Sequence, residues 1–291
     1  MRIGNSPFGG MPPVVKNLLI INILVYLASI VLHSSMGINI EEYLGLHLPM
    51  AGQFRSWQLI TYMFVHAYPD PSHVFFNMFA LFMFGRMLES VWGPRRFLFY
   101  YLVTGIGAAL VHLMTQYIDV MPILKAITHY MNNSTHENLE LFINNDLRIS
   151  TYAMKENFDA FVAAYNKLIN TDPDMAAGLA REYLFGYRAD FLNAHVTIGA
   201  SGAVFGILLA FGMLFPNLRL MLLFPPIPIK AKYFVMMYGV AELFLGINNF
   251  SGDNVAHFAH LGGMLFGFIL IKYWQRKGIN YELKLCRYTE K

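Results

Sequence analysis

Six stretches of mostly apolar residues divide this chain, and they limit its possible folds more than any other feature. They run over roughly 14–33, 73–92, 96–116, 198–215, 233–249 and 255–274. A helix that crosses the hydrocarbon core of a bilayer needs about 20 mostly apolar residues. The chain is 56% hydrophobic and 13% charged, whereas soluble domains carry about 25% charged residues. The sequence therefore predicts an all-α polytopic membrane protein, a bundle of six transmembrane helices.

Lysine and arginine are distributed unevenly between the two sides of this predicted bundle. With a cytoplasmic N-terminus, 14 of the 21 basic residues fall in cytoplasmic segments, and the short outer loops hold Arg55 alone. Basic residues in short loops tend to stay in the cytoplasm. We therefore expect a multi-pass protein with both termini cytoplasmic, and a bacterial cytoplasmic membrane is the simplest location. The first apolar run then serves as a signal anchor, because no cleavage site follows it.

A polar region over 117–193 interrupts the apolar pattern. It holds ten acidic and six basic residues, which gives a formal charge of −4. Ser134–Glu137 fits a capping box, and Asp172 followed by Pro173 fits the start of a helix. We predict a helical insertion on the outer face. The predicted division is 1–116 with helices one to three and the outer loop 34–72, the insertion 117–193, 194–275 with helices four to six, and the cytoplasmic tail 276–291.

An apolar stripe at helical spacing lies within this insertion, at Phe158, Phe161, Val162, Tyr165 and Leu168. One interpretation is packing among the helices of the insertion. The other is a surface that docks a substrate or lies on the outer leaflet.

Several classes of function are not favoured. Because no dense basic run is interleaved with aromatic residues, we expect no nucleic-acid partner. The single cysteine, Cys286, excludes an intramolecular disulfide and a thiolate metal cluster. The spacing of His257 and His260 suggests a pair of metal ligands. However, no His-Glu-x-x-His motif and no evident third ligand accompany them, so we predict neither a metal nor a cofactor.

A serine and a histidine lie on two different predicted spans. Ser201 lies among small residues at the start of the fourth stretch, and His260 lies near the start of the sixth. Such polar groups are costly in a membrane unless they meet each other or line a wet cavity. Together they are the minimum apparatus for nucleophilic attack on a carbonyl. The sequence thus suggests a hydrolase whose chemistry takes place inside the bilayer.

Glycines around both residues allow two interpretations. Gly202 and Gly206, like Gly263 and Gly267, form G-x-x-x-G pairs that are typical of helix-packing faces. Two helices that carry glycines in place of larger side chains can also cross closely, with the serine and the histidine within hydrogen-bonding distance.

Two polar residues open the second predicted span. His73 and Asn77 are four residues apart and so lie on one face of a helix. One interpretation is an oxyanion hole built from these side chains and the Ser201 N–H. The other is an interhelical hydrogen bond that only holds helices together, since a buried amide needs a partner.

Taken together, these motifs resemble the rhomboid family of intramembrane serine proteases. The matching pieces are His73-x-x-x-Asn77, Gly199-Ala-Ser201-Gly202 and Ala259-His260-x-Gly-Gly, in that order. Further matches are Trp57, Phe84-Gly85, Glu89 and Gly93. The resemblance covers roughly 14–116 and 195–275. It implies a six-helix rhomboid-like fold and cleavage of transmembrane protein substrates near their outer ends.

The resemblance also implies roles for individual residues. Ser201 would be the nucleophile and His260 its general base, while His73 and Asn77 would line the oxyanion hole. Phe205 stands where the family commonly has a tyrosine that supports the imidazole. The family uses a Ser–His dyad. In keeping with that, we expect Asp253 to be a loop residue, Glu242 a satisfied polar residue of span five, and His257 a polar residue at the membrane edge.

The sequence departs from the family pattern in two places. The outer-loop motif often reads Trp-Arg, and here it is Trp57-Gln58. The insertion is absent from the compact bacterial members, so it is expected to shape substrate access. We also expect span five and the loop 249–254 to form a movable gate.

Two other functions remain open. One is a catalytically silent relative that binds membrane helices, and the other is a transporter or channel with a polar central site.

Overall fold

The computed structural model of the protein describes residues 10–221, 227–248 and 256–278, and most of them are helical. The predictions for Asp253, Cys286 and the loop 249–254 concern residues outside these ranges. The helices are α1 (Pro13–Met36), α2 (Ile40–Leu44), α3 (Gln58–Thr61), α4 (Pro71–Ala80), α5 (Arg86–Trp92), α6 (Pro94–Asn132), α7 (His136–Asn145), α8 (Tyr152–Leu168), α9 (Pro173–Asn193), α10 (Ser201–Leu214), α11 (Ala231–Asn248) and α12 (His257–Arg276).

Short elements complete the described part of the fold. A 3₁₀ turn over Tyr62–Phe64 follows α3, and a π-helical segment over Leu81–Gly85 joins α4 to α5. The strands are β1 (Leu46–His47), β2 (Val196–Thr197), β3 (Arg219–Met221) and β4 (Pro228–Lys230). β3 and β4 pair in antiparallel fashion, with Leu220 opposite Ile229.

The chain divides into two compact units. The first contains the described residues of Met1–Leu46, Trp57–His112 and Thr197–Lys291, and the second contains His47–Ser56 and Leu113–Val196. The predicted insertion over 117–193 falls within the second unit.

Within the described ranges, three helices are long and apolar enough to cross a membrane, judged by length and composition. They are Pro13–Met36, Pro71–Trp92 (α4 through α5) and Pro94–Asn132. α10 is equally apolar but has 14 residues, while α11 has 18 and α12 has 20. These helices make the chain an integral membrane protein with an all-α bundle, and the number of six spans stays a prediction.

The first unit is built around α10, which is buried along most of its length. Its glycines let neighbouring helices come close. A Cβ atom on Gly263 of α12 would lie 1.8 Å from the carbonyl oxygen of Gly202, and one on Gly206 would lie 2.6 Å from Thr104 of α6. Gly202 and Gly263 therefore form a close crossing of α10 with α12, whereas Gly206 and Gly267 leave room for α6. In contrast to α10, α11 exposes large apolar side chains, including Met236, Val240 and Ile247.

The second unit has an apolar core of its own. Residues of α6, α7, α8 and α9 form it, among them Ile127, Phe142, Phe161 and Leu184. The apolar stripe of α8 belongs to this core: two of its side chains are buried and the other three pack against them. The packing interpretation of the stripe is therefore correct.

One predicted helix start in this region is wrong, and one helix is longer than its apolar run. α6 continues beyond the predicted span 96–116 to Asn132, with Pro122 inside it. α7 begins one residue later than the predicted capping box: Thr135 caps it and accepts from the N–H of Asn138, while the Ser134 hydroxyl donates to the carbonyl of Tyr130. The predicted start of α9 is confirmed, with Asp172 accepting from Met175 N–H and Pro173 in the first helical position.

Candidate active site

Ser201 is the first residue of α10, and its surroundings depend on the glycine two residues earlier. Gly199 has φ 118°, which an L side chain rarely adopts. Its N–H donates to the carbonyl of Tyr62 at 2.9 Å. A Cβ atom at this position would lie 2.9 Å from the ring of His73. Glycine here therefore lets the His73 imidazole approach the chain just before the serine.

His260 lies against the serine hydroxyl. Its Nε2 is 2.8 Å from Ser201 Oγ, and the side chain is buried. The structure thus brings together two residues that are 59 positions apart in the sequence. The close crossing at Gly202 and Gly263, one residue after the serine and three after the histidine, allows this contact.

Phe205 supports the imidazole from one side. Its ring stacks on that of His260 with centroids 4.1 Å apart and planes 7° apart. Phe205 follows Ser201 by four residues, so one turn of α10 presents both the hydroxyl and the ring. The stacked ring limits the orientations that the imidazole can adopt.

The structure adds a residue to this pair that the sequence analysis had not placed there. The carboxylate oxygen Oε2 of Glu242 lies 2.8 Å from Nδ1 of His260 and 2.7 Å from Nδ1 of His257. All three side chains are buried. Glu242 is indeed satisfied, but its partners are the histidines of α12. The expectation that it stands apart from the Ser–His pair is wrong.

His257 is the other partner of Glu242. It is 7% exposed and lies against that carboxylate, and its position at the membrane edge stays a prediction. A signal in the sequence could have indicated that His257 lies near Glu242. Gly246 follows Glu242 by one turn, and a Cβ atom on it would lie 3.2 Å from His257 Cβ. A glutamate and a glycine on one face of α11 thus match two histidines on one face of α12.

His73 and Asn77 lie on α4, the helix that follows the outer loop. Asn77 is buried, and its Nδ2 donates to the backbone carbonyl of His73 at 2.9 Å. That bond uses one of the two N–H groups of the amide. Nδ1 of His73 accepts from the N–H of Ala67 at 3.5 Å. His73 therefore lies beside Gly199, two residues from Ser201, and Asn77 lies one turn further along α4.

A second histidine lies behind His73. His66 is buried, and its ring meets that of His73 edge-on with centroids 5.2 Å apart. Burial lowers the pKa of His66 to about 3. It is therefore neutral near pH 7 and adds no positive charge beside His73. Nothing in the sequence distinguishes this residue, because a lone histidine in a loop carries no pattern.

Glu242, His257 and His260 can also be compared with a metal site. Their ligand atoms all lie within 4.8 Å of one another. A zinc ion with bonds of about 2.0–2.1 Å in tetrahedral geometry would hold its ligands about 3.4 Å apart. The separations of 2.7 and 2.8 Å are instead those of hydrogen bonds. The cluster fits a hydrogen-bonded array better than a metal centre.

Comparison with known protein families places the chain. The family model of the Rhomboid domain matches residues 53–120 and 175–277. These ranges include every site residue described above, and the gap between them lies within the second unit. No curated protein is significantly similar to the chain.

Proposed function

The chain belongs to the rhomboid family, and on that premise we propose that it is an active intramembrane serine endopeptidase. The observation that carries the proposal is the 2.8 Å separation between Ser201 Oγ and His260 Nε2. A nucleophile within hydrogen-bonding distance of a base, which is itself oriented by other groups, is the arrangement that covalent catalysis requires.

The proposed reaction is acyl transfer to Ser201. His260 Nε2 takes the hydroxyl proton while Oγ forms a bond to the carbonyl carbon of the scissile peptide. The tetrahedral intermediate then loses its C–N bond, and His260 gives the proton to the leaving amine. Water next attacks the acyl-enzyme with His260 again as the base, which releases the new carboxyl end and restores the serine.

The oxyanion of the intermediate needs donors. We propose the second N–H of the Asn77 amide, the His73 ring and the backbone N–H of Ser201 at the start of α10. The first N–H groups of a helix have no partner within that helix, so they can donate to an anion. Gly199 favours this arrangement because it leaves room for His73 beside the serine.

The proposed substrates are transmembrane protein segments cleaved near their outer ends. A substrate helix uses its carbonyls in its own hydrogen bonds, so it has to unwind locally before attack. Glycine or proline near the end of the substrate helix favours unwinding. The buried polar groups of the site then face a cavity open to water on the outer side, because hydrolysis needs water and the bilayer excludes it.

The proposed topology has six spans and both termini in the cytoplasm of a bacterial cell. The single cysteine, Cys286, offers a native probe of it. In intact spheroplasts, a membrane-impermeant maleimide should label Cys286 only after the membrane is permeabilised. Equal labelling before permeabilisation would contradict the cytoplasmic C-terminus.

Cleavage of a single-span reporter in liposomes tests the enzymatic proposal. We expect cleavage by the wild type and none by Ser201→Ala or His260→Ala, with both variants still folded by thermal unfolding in detergent. Ser34→Ala is a matched control, because its hydroxyl is exposed and only donates to the carbonyl of Val31. Cleavage that survives in Ser201→Ala would exclude this serine as the nucleophile. A wild type that binds several reporters without cleaving them would support a catalytically silent relative instead.

A further inference from the structure

We propose that Glu242 is a positioning residue of this active site, so that the chain works with a Ser–His–Glu array, and that His257 holds Glu242 in place. This inference rests on the proposed protease function. Its starting point is geometric: both ring nitrogens of His260 have a partner at 2.8 Å, Ser201 Oγ on one side and Glu242 Oε2 on the other.

The carboxylate decides which nitrogen of His260 carries the proton. A neutral imidazole has one N–H and one nitrogen that accepts, whereas an ionised carboxylate only accepts. Nδ1 therefore carries the proton and donates to Glu242, which leaves Nε2 to accept from Ser201. This is the tautomer that a general base for the serine requires.

The same carboxylate stabilises the charge that forms during the reaction. When Nε2 takes the serine proton, the ring becomes an imidazolium with Glu242 already in place. The interaction acts within a buried site, where electrostatic effects are larger than in water. The proton on Nδ1 stays on His260, and Glu242 remains ionised throughout.

His257 completes the arrangement by donating to the same oxygen of Glu242 at 2.7 Å. Two donors on one oxygen limit where the carboxylate can lie, and they offset part of the cost of burying it. Among the residues that the structure describes, His73 of α4 is a further titratable group near His260. Glu242 is the only acidic residue of α10, α11 and α12, and it lies where it meets the catalytic imidazole.

The alternative is that Glu242 only holds α11 to α12. The chain contains a matched control for such a structural carboxylate. Glu89 is 2% exposed and accepts from the N–H groups of Val14 and Val15 at 2.9 and 2.8 Å. It too is a buried glutamate with two donors, but neither of them belongs to the catalytic pair.

The test compares Glu242→Gln, Glu242→Asp and Glu89→Gln in liposomes. A fluorophosphonate that labels Ser201 is run to completion to count competent sites, and its labelling rate measures the activated serine without a protein substrate. We expect Glu242→Gln to lower kcat per labelled site, and the labelling rate, by about 10²- to 10⁴-fold with KM unchanged. Glu242→Asp should recover part of that loss. Glu89→Gln should lower thermal stability and leave kcat per labelled site unchanged.

The outcomes separate this inference from the protease function itself. If the wild type cleaves, Ser201→Ala does not, and Glu242→Gln keeps its kcat per labelled site, the protease proposal stands and the role of Glu242 is overturned. If the wild type neither cleaves nor labels, the protease proposal fails. Should Glu242→Gln not fold, Glu242→Asp decides, because a purely structural carboxylate predicts an unchanged kcat per labelled site in that variant.

Discussion

At the scale of single residues, the site depends on groups that hold the His260 imidazole from several directions. Ser201 and Glu242 lie at its two nitrogens, and Phe205 covers one face. A ring held in this way needs little rearrangement when it takes the proton, and preorganisation of this kind is where enzymes gain much of their rate. Asn77 differs, because its observed hydrogen bond is to a carbonyl of its own helix.

Asn77 therefore gives a residue-scale prediction. If its second N–H reaches the oxyanion, Asn77→Ala should lower kcat about 10²- to 10³-fold. KM should change little, because the oxyanion exists only after the attack. Kinetics of reporter cleavage in liposomes measure both parameters.

The interpretation of Asn77 as a purely structural residue predicts a different result for Asn77→Ala. An Asn77 that only bonds to the His73 carbonyl would cost stability and leave kcat per labelled site intact. Thermal unfolding in detergent, beside the kinetics, tells the two apart. Asn22→Ala is the control, since its buried amide likewise donates to a carbonyl four residues earlier, that of Leu18.

At the scale of elements, the crossing of α10 and α12 sets the distance between Ser201 and His260. No atom of Ser201 or His260 creates this crossing. It depends on the absence of side chains at Gly202 and Gly263, where the two backbones touch. The contact between the serine and the histidine is thus a consequence of helix packing by small residues.

Substitution at this crossing tests that dependence. In Gly263→Ala the new Cβ would lie 1.8 Å from the Gly202 carbonyl oxygen, so the helices have to separate. We expect a loss of stability of about 1–3 kcal/mol and a fall in kcat of at least about 10²-fold, because small displacements of reacting groups are costly.

The matched substitution is Gly178→Ala in α9, where an added Cβ meets nothing within 4 Å. It should stabilise the protein by about 0.5–1 kcal/mol, because alanine favours a helix interior over glycine. It should also leave kcat unchanged. A Gly263→Ala variant with wild-type stability and kcat would show that the crossing does not set the geometry.

Much of this architecture could be predicted from the sequence, and the failures have physical causes. Hydrophobic runs indicated the apolar helices, and small residues beside Ser201 and His260 indicated a crossing. The contacts of Glu242 with His257 and His260 were missed because these partners lie 15 and 18 residues away on another helix. The length of α6 was not predicted because the helix continues past the apolar residues, so the change in polarity at residue 117 does not mark a helix end.

At the scale of the whole molecule, the second unit contains the part of the chain that lies between the two ranges matched by the Rhomboid family model. The matched ranges leave residues 121–174 uncovered, and these residues belong to a unit with its own apolar core. The residues that the family model matches include Ser201, His260 and their neighbours, whereas the unmatched residues include none of them. The insertion is therefore expected to modulate substrate choice and not the chemical step.

The charge of the insertion suggests how it would affect substrate choice. The formal charge of −4 over residues 117–193 favours substrates with basic outer flanks, and this preference should weaken as salt screens it. A variant with residues 125–190 replaced by a short Gly/Ser linker should still label at Ser201. Its preference for basic over acidic reporter flanks, measured as a ratio of kcat/KM, should fall from about threefold or more towards unity. An unchanged ratio and unchanged rates in a folded deletion variant would remove the insertion from substrate selection altogether.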